Sequence, residues 1–181
     1  MENKLANFTG KIVFIGFGSI AKGVLPLFLR HLPITPERIR IVSADTDDEQ
    51  IASQYGIPYQ QIRLTENNYR QVLEPLLEKG DFLVNLSVFV SSLALMALCH
   101  EKEVLYIDTS IEPWEGGYTD TSTSASDRSN YALREAALDF GRKHPGGPTA
   151  IVCQGANPGL VSGFLKQALL NVAKDNGIDT R

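Results

Sequence analysis

An uninterrupted apolar run, Ile12-Val-Phe-Ile15, stops at glycine and continues as Gly16-Phe-Gly18-Ser-Ile-Ala21; no other stretch narrows the possible folds as much. Four consecutive apolar residues, three of them β-branched, read as a strand buried on both faces. Val24, Leu25, Leu27, Phe28 and Leu32 then recur at roughly helical spacing. Strand, glycine turn and helix follow without a gap, and the spacing G-x-G-x-x-A is that of the first turn of a dinucleotide-binding βα unit. Each small residue has its own task. Gly16 turns the chain sharply at the strand's end, Gly18 lacks the Cβ that would keep a pyrophosphate off the backbone, and Ala21 lets the helix pack closely on the strand. The helix start presents N–H groups and the positive end of its dipole to phosphate. A tight βα turn that binds nothing is the competing reading.

The alternation then repeats. Ile39 to Ser43 reads as a second strand, ending in Ala44-Asp45-Thr46-Asp47-Asp48. An acid just past the second strand can accept hydrogen bonds from ribose hydroxyls, which assigns Asp45 to the cofactor, whereas Asp47 and Asp48 read as caps of a helix from Glu49. No Lys or Arg stands between Ser43 and Gln54, so a 2′-phosphate would find no cation there and NAD is expected over NADP. Ile57 to Ile62 forms a third strand, kept near an edge by Pro58, and Thr65 caps a helix through Leu77. Asp81 to Ser87 is the fourth strand. Its carboxyl end, Asn85, Leu86 and Ser87, falls where open α/β sheets bind ligands; Ser87 reads equally well as the cap of a helix from Val90 to His100.

Val104 to Ile107, the fifth strand, leads into Asp108-Thr-Ser-Ile-Glu-Pro-Trp-Glu-Gly-Gly-Tyr118. A carboxylate and the only tryptophan beside a glycine pair can meet a cationic ligand, or simply close a surface turn. A Ser- and Thr-rich loop, a helix from Tyr131 to Phe140, the breaker Pro145-Gly-Gly-Pro148 and a sixth strand, Thr149 to Cys153, follow. Asn157 and Pro158 are placed to open a last helix, from Gly159 to Lys174. Six strands alternating with helices imply one α/β domain over residues 1–181, a doubly wound parallel sheet of Rossmann type.

Composition excludes more than it assigns. With 17 basic and 21 acidic residues the net charge is −4, which gives no footprint for nucleic acid or an anionic membrane. No apolar run nears the roughly 20 residues needed to span a bilayer, and Met1 to Thr9 has no signal-peptide core, so the cytoplasm is the expected compartment. Cys99 and Cys153 read as reduced core residues, and His31, His100 and His144 as helix-end residues with no ligand partners. No metal is expected.

In Gly-Phe-Gly-Ser-Ile (16–20), Asn-Leu-Ser-Val (85–88), Asp-Thr-Ser-Ile-Glu-Pro-Trp (108–114), Arg-Ser-Asn-Tyr-Ala-Leu-Arg-Glu (128–135) and Gly-Ala-Asn-Pro-Gly-Leu-Val-Ser (155–162), the chain resembles the bacterial homospermidine synthases, relatives of saccharopine dehydrogenase. The resemblance implies an NAD-dependent transferase in which hydride leaves putrescine, the imine exchanges ammonia for a second putrescine, and the hydride returns. It also implies that Gly16, Gly18, Ser19, Ile20, Asn85, Thr109 and Asn157 touch NAD and that Glu112 faces the ammonium group of putrescine or a related diamine. Phe89 stands where the resemblance leads one to expect an acid. Family members are much longer, so the chain looks like the amino-terminal part of a homodimeric enzyme whose second, catalytic domain is absent, and it is expected to bind NAD better than it catalyses. A net reductase of the saccharopine or carboxynorspermidine dehydrogenase type, or a non-catalytic NAD-binding module, are the alternatives.

Overall fold

The computed structural model describes residues 6–155 and 159–179. Among the described residues six parallel strands form a single sheet in the order β3-β2-β1-β4-β5-β6, the two-winged order of a Rossmann fold. The strands are β1 (Ile12–Ile15), β2 (Ile39–Ser43), β3 (Tyr59–Gln61), β4 (Phe82–Asn85), β5 (Leu105–Asp108) and β6 (Ala150–Ile151). The α-helices among the described residues are α1 (Ser19–His31), α2 (Glu49–Gln54), α3 (Tyr69–Leu73), α4 (Ser92–Glu101), α5 (Asn130–Lys143) and α6 (Leu160–Asp175).

β1 sits at the centre, and none of its four side chains is more than 2% exposed. Because successive residues of a strand point to opposite faces, Val13 and Ile15 enter one core with Leu73, Leu95, Leu98 and Ala137 from α3, α4 and α5. Ile12 and Phe14 enter the other, with Ala21 and Leu25 of α1 and Ala52 of α2. Burial of each such side chain contributes about 1.5–3 kcal/mol, so the apolar run that ends at Gly16 also anchors both helical layers. Cys99 lies within the first core, and burial pushes its thiol up to about 12, far from a reactive thiolate.

Several boundaries differ from the sequence reading, each for a local reason. β3 is shorter than Ile57 to Ile62 and lies at the sheet edge, as Pro58 required. The helix read from Thr65 begins only at Tyr69 and turns 3-10 at Glu74–Leu76, where Pro75 removes a helical N–H. Asn68 Oδ1, accepting the Thr65 N–H at 2.8 Å, organises that entry instead of Thr65. α4 starts at Ser92 and is capped by Ser91, whose Oγ accepts the Ala94 N–H at 3.3 Å, so Ser87 is not its cap. Ser129 caps α5 in the same way through Ala132 N–H at 3.2 Å. His31 and His100 stand in the last turns of α1 and α4, and His144 at the carboxyl end of α5, stacked on Phe140. No helix among the described residues is long and apolar enough to cross a membrane.

Candidate functional site

β1 lies between β2 and β4, so their three carboxyl ends and the turns that leave them meet at one edge of the sheet. A cleft of about 550 Å³ opens there, lined by Gly16, Phe17 and Gly18 after β1, by Ser43 at the end of β2 with Ala44 and Asp45 beyond it, and by Leu86 to Phe89 after β4. An apolar groove of similar size, about 500 Å³, lies between α4, α5 and β6; its wall carries the Pro145-Gly-Gly-Pro148 turn but no G-x-G motif at a helix start and no acid.

The two glycines of the motif meet different demands. Gly16 has φ +81°, and its N–H donates to Val42 O at 2.8 Å. A Cβ there would lie 3.0 Å from both Cα and N of Ser87, so the β1 and β4 turns touch where only glycine fits. Gly18 has an ordinary φ of −83°, and a Cβ on it would meet nothing within 4 Å. It is the N-cap residue of α1, with no side-chain cap and no acid in the first turn. An anion entering the cleft therefore meets bare backbone and the positive end of α1. This open cradle fits a dinucleotide pyrophosphate.

Asp45 is exposed on the cleft wall, and its backbone carbonyl accepts the Tyr59 hydroxyl. Asp48 holds the N-cap position of α2 but forms no cap hydrogen bond. Its carboxylate pairs with Lys22 Nζ at 2.8 Å, tying α2 to α1, which corrects the reading of Asp48 as a helix cap. Ser87 lines the cleft, with its Oγ and N–H donating to Asn85 Oδ1 at 2.6 and 3.2 Å. Asn85 is itself 1% exposed and stands behind the wall, holding Ser87 instead of facing the cleft.

Other sequence-assigned residues spread further. Ser19 and Ile20 are exposed in the first turn of α1, next to Gly18 but outside the cleft lining. Thr109 and Glu112 are half-buried beyond β5 and do not line it either. Glu112 N–H donates to Ser92 Oγ at 3.0 Å, and its Oε1 accepts the Ser110 hydroxyl at 3.3 Å. Asn157 lies outside the described residues. Trp114 packs half-buried against Tyr69, ring centroids 5.3 Å apart, so packing accounts for it without a cationic ligand. Among the described residues no cluster of three or more His, Cys, Asp or Glu can hold a metal.

Sequence reasoning missed several lining residues, among them Asp47 and Asp48, which it read only as helix caps. Tyr59 and Arg63 arrive from the third strand and the residues after it, and Glu115 reaches in from the loop after β5 to pair with Arg63 Nη1 at 3.6 Å. The only available signal was position at a strand's carboxyl end, since each side chain comes from a segment far from the glycine motif. Phe89, which stands where the resemblance leads one to expect an acid, also lines it, 44% exposed and at φ +61°.

Residues 12–151 match the family described as Saccharopine dehydrogenase NADP binding domain. The chain belongs to that family. It is 45% identical to a homospermidine synthase of Mesorhizobium japonicum, over 99% of this chain and 39% of that protein. It is 48% identical to a homospermidine synthase of Blastochloris viridis, over 93% of this chain and 36% of that protein. The crystal structure of the homospermidine synthase from Legionella pneumophila in complex with NAD matches with a TM-score of 0.86 at 38% identity, over 99% of this chain and 36% of that one. The chain thus spans somewhat over a third of the length of these relatives.

Proposed function

We propose that this chain is the NAD-binding part of a homospermidine synthase. The observation that carries the reading is the cradle at Gly18, open on the side where a Cβ would stand and set at the uncapped start of α1. Gly16 and Gly18 with the first turn of α1 hold the pyrophosphate, Asp45 accepts from a ribose, and Leu86 and Ser87 form the wall after β4. Bound NAD supplies a hydride acceptor that is regenerated when the hydride returns. Glu112 offers a carboxylate to an ammonium group of putrescine or a related diamine, with Ser92 and Ser110 fixing its loop. Through imine exchange an aminobutyl group passes between two putrescine molecules and ammonia leaves. The rest of such an enzyme's length supplies the pocket that keeps water from the imine, and we place the enzyme in the cytoplasm as a homodimer.

Arg63 favours a second reading. A guanidinium on the cleft wall can receive a 2′-phosphate, which would suit an NADP-dependent reductase of the saccharopine dehydrogenase type. Calorimetric titration with NAD+ and NADP+ separates the two. Tighter binding of NAD+, weakened about tenfold by Asp45→Ala, supports the synthase reading, and a longer form bearing the rest of the enzyme should then turn over putrescine with catalytic NAD. Tighter binding of NADP+ that is lost in Arg63→Ala replaces it with the reductase.

A further inference from the structure

A buried polar cluster lies behind the cleft, at the carboxyl ends of β4 and β5. Tyr106, Asn85, Ser92 and Asp108 are each no more than 1% exposed. Polar groups so deep are tolerated only when bonded; Tyr106 is bonded to both Asn85 and Asp108, and the Ser92 hydroxyl, bonded to the Glu112 N–H, lies beside them. The Tyr106 hydroxyl donates to Asp108 Oδ2 at 2.8 Å and accepts from Asn85 Nδ2 at 3.4 Å. Asp108 Oδ1 accepts the N–H of Cys153 at 2.6 Å, on a residue held at φ +59°. Such a backbone conformation persists only where its surroundings impose it.

The outer bonds of the cluster end on the two segments that the proposed chemistry uses. On one side Asn85 Oδ1 takes both the N–H and the hydroxyl of Ser87, the residue whose backbone presses against Gly16. On the other, Ser92 exchanges hydrogen bonds with the Glu112 main chain, accepting its N–H at 3.0 Å and donating its own to Glu112 O at 2.9 Å. A cluster serving stability alone has no reason to terminate at both places.

We infer that Tyr106 and Asp108 are positioning residues that hold Ser87 and the Glu112 loop in register across the cofactor cleft, without touching the cofactor. The inference rests on the dinucleotide reading of the cleft. Tyr106→Phe keeps the ring and removes the hydroxyl that joins Asn85 to Asp108. Ser87 then loses its fixed support, and the dissociation constant for NAD+ rises about three- to tenfold, the worth of one ordinary hydrogen bond.

The test is calorimetric titration of the purified chain with NAD+, at a temperature well below every variant's Tm. Ile41→Val, in the core on the far side of the sheet, serves as the control; it lowers Tm and leaves the dissociation constant unchanged. Tyr106→Phe combined with Ser87→Ala should weaken binding by less than the product of the single effects, because both act through Asn85. If Tyr106→Phe does not fold, the near-isosteric Asp108→Asn is read in its place. Wild-type affinity in a folded variant with lowered Tm overturns the inference and leaves the cluster purely structural. Failure of the wild-type chain to bind NAD+ overturns the dinucleotide reading, and the inference with it.

Discussion

Replacing Gly16 and Gly18 one at a time should separate two requirements that their shared motif merges. At Gly16 an alanine must hold φ +81°, which costs about 1–2 kcal/mol for a residue with a Cβ. Its methyl would also stand 3.0 Å from the Ser87 backbone, and relieving that overlap by a backbone shift costs roughly another 1–2 kcal/mol. The sum, about 2–4 kcal/mol, corresponds to a fall in Tm of roughly 5–15 °C for a chain of this size. At Gly18 the same substitution meets no atom within 4 Å at an ordinary φ, so Tm should move by less than about 2 °C. Gly18→Val places its bulk where the proposed function puts the pyrophosphate, and NAD+ affinity should fall at least about tenfold, equivalent to 1.4 kcal/mol. Thermal scans with and without NAD+, together with titration calorimetry, read both quantities. Equal destabilisation by the two alanine variants, or undiminished NAD+ binding by Gly18→Val, would refute the division of labour.

Two further outcomes concern buried carboxylates. Asp81 is 2% exposed, and its two oxygens accept the N–H groups of Lys11 at 2.7 Å and Glu78 at 2.8 Å. Asp81→Ala strands both amides and should destabilise by about 3 kcal/mol in urea unfolding, with NAD+ affinity unchanged because the contact lies at the amino end of β4. Burial holds the Asp108 carboxyl above the usual carboxylate range, against the opposing bonds from Cys153, Tyr106 and Ser92. The native state therefore keeps this proton to higher pH than the unfolded chain, and its contribution to stability falls as pH rises from about 4 through the raised value. Compared with Asp108→Asn, wild-type Tm should lose ground over that interval; parallel Tm curves for the two would contradict the assignment.

The β1–α1 unit was legible because its signals are local. Apolar continuity, glycine spacing and helical periodicity all act within about 20 residues, and the structure places Gly16, Gly18, Asp45, Leu86 and Ser87 on one cleft as the sequence reading expected. The position of Asn85 was read correctly but not its direction. Alternation along a strand states which residues share a face, not which of them the next loop covers.

The amino-acid sequence by itself determined the alternating strands and helices, the glycine turn and the ends at which a ligand can enter, since these follow from backbone sterics and hydrophobic periodicity. Only the tertiary structure decided the rest. It brought Arg63 and Glu115 together from positions 52 residues apart, turned Asp48 from a helix cap to a partner of Lys22, and gathered Asn85, Ser92, Tyr106 and Asp108 in one buried cluster that the Cys153 N–H reaches. Such pairings depend on strand order and crossover geometry, which place distant segments side by side, and a local spelling carries no record of which segment will arrive.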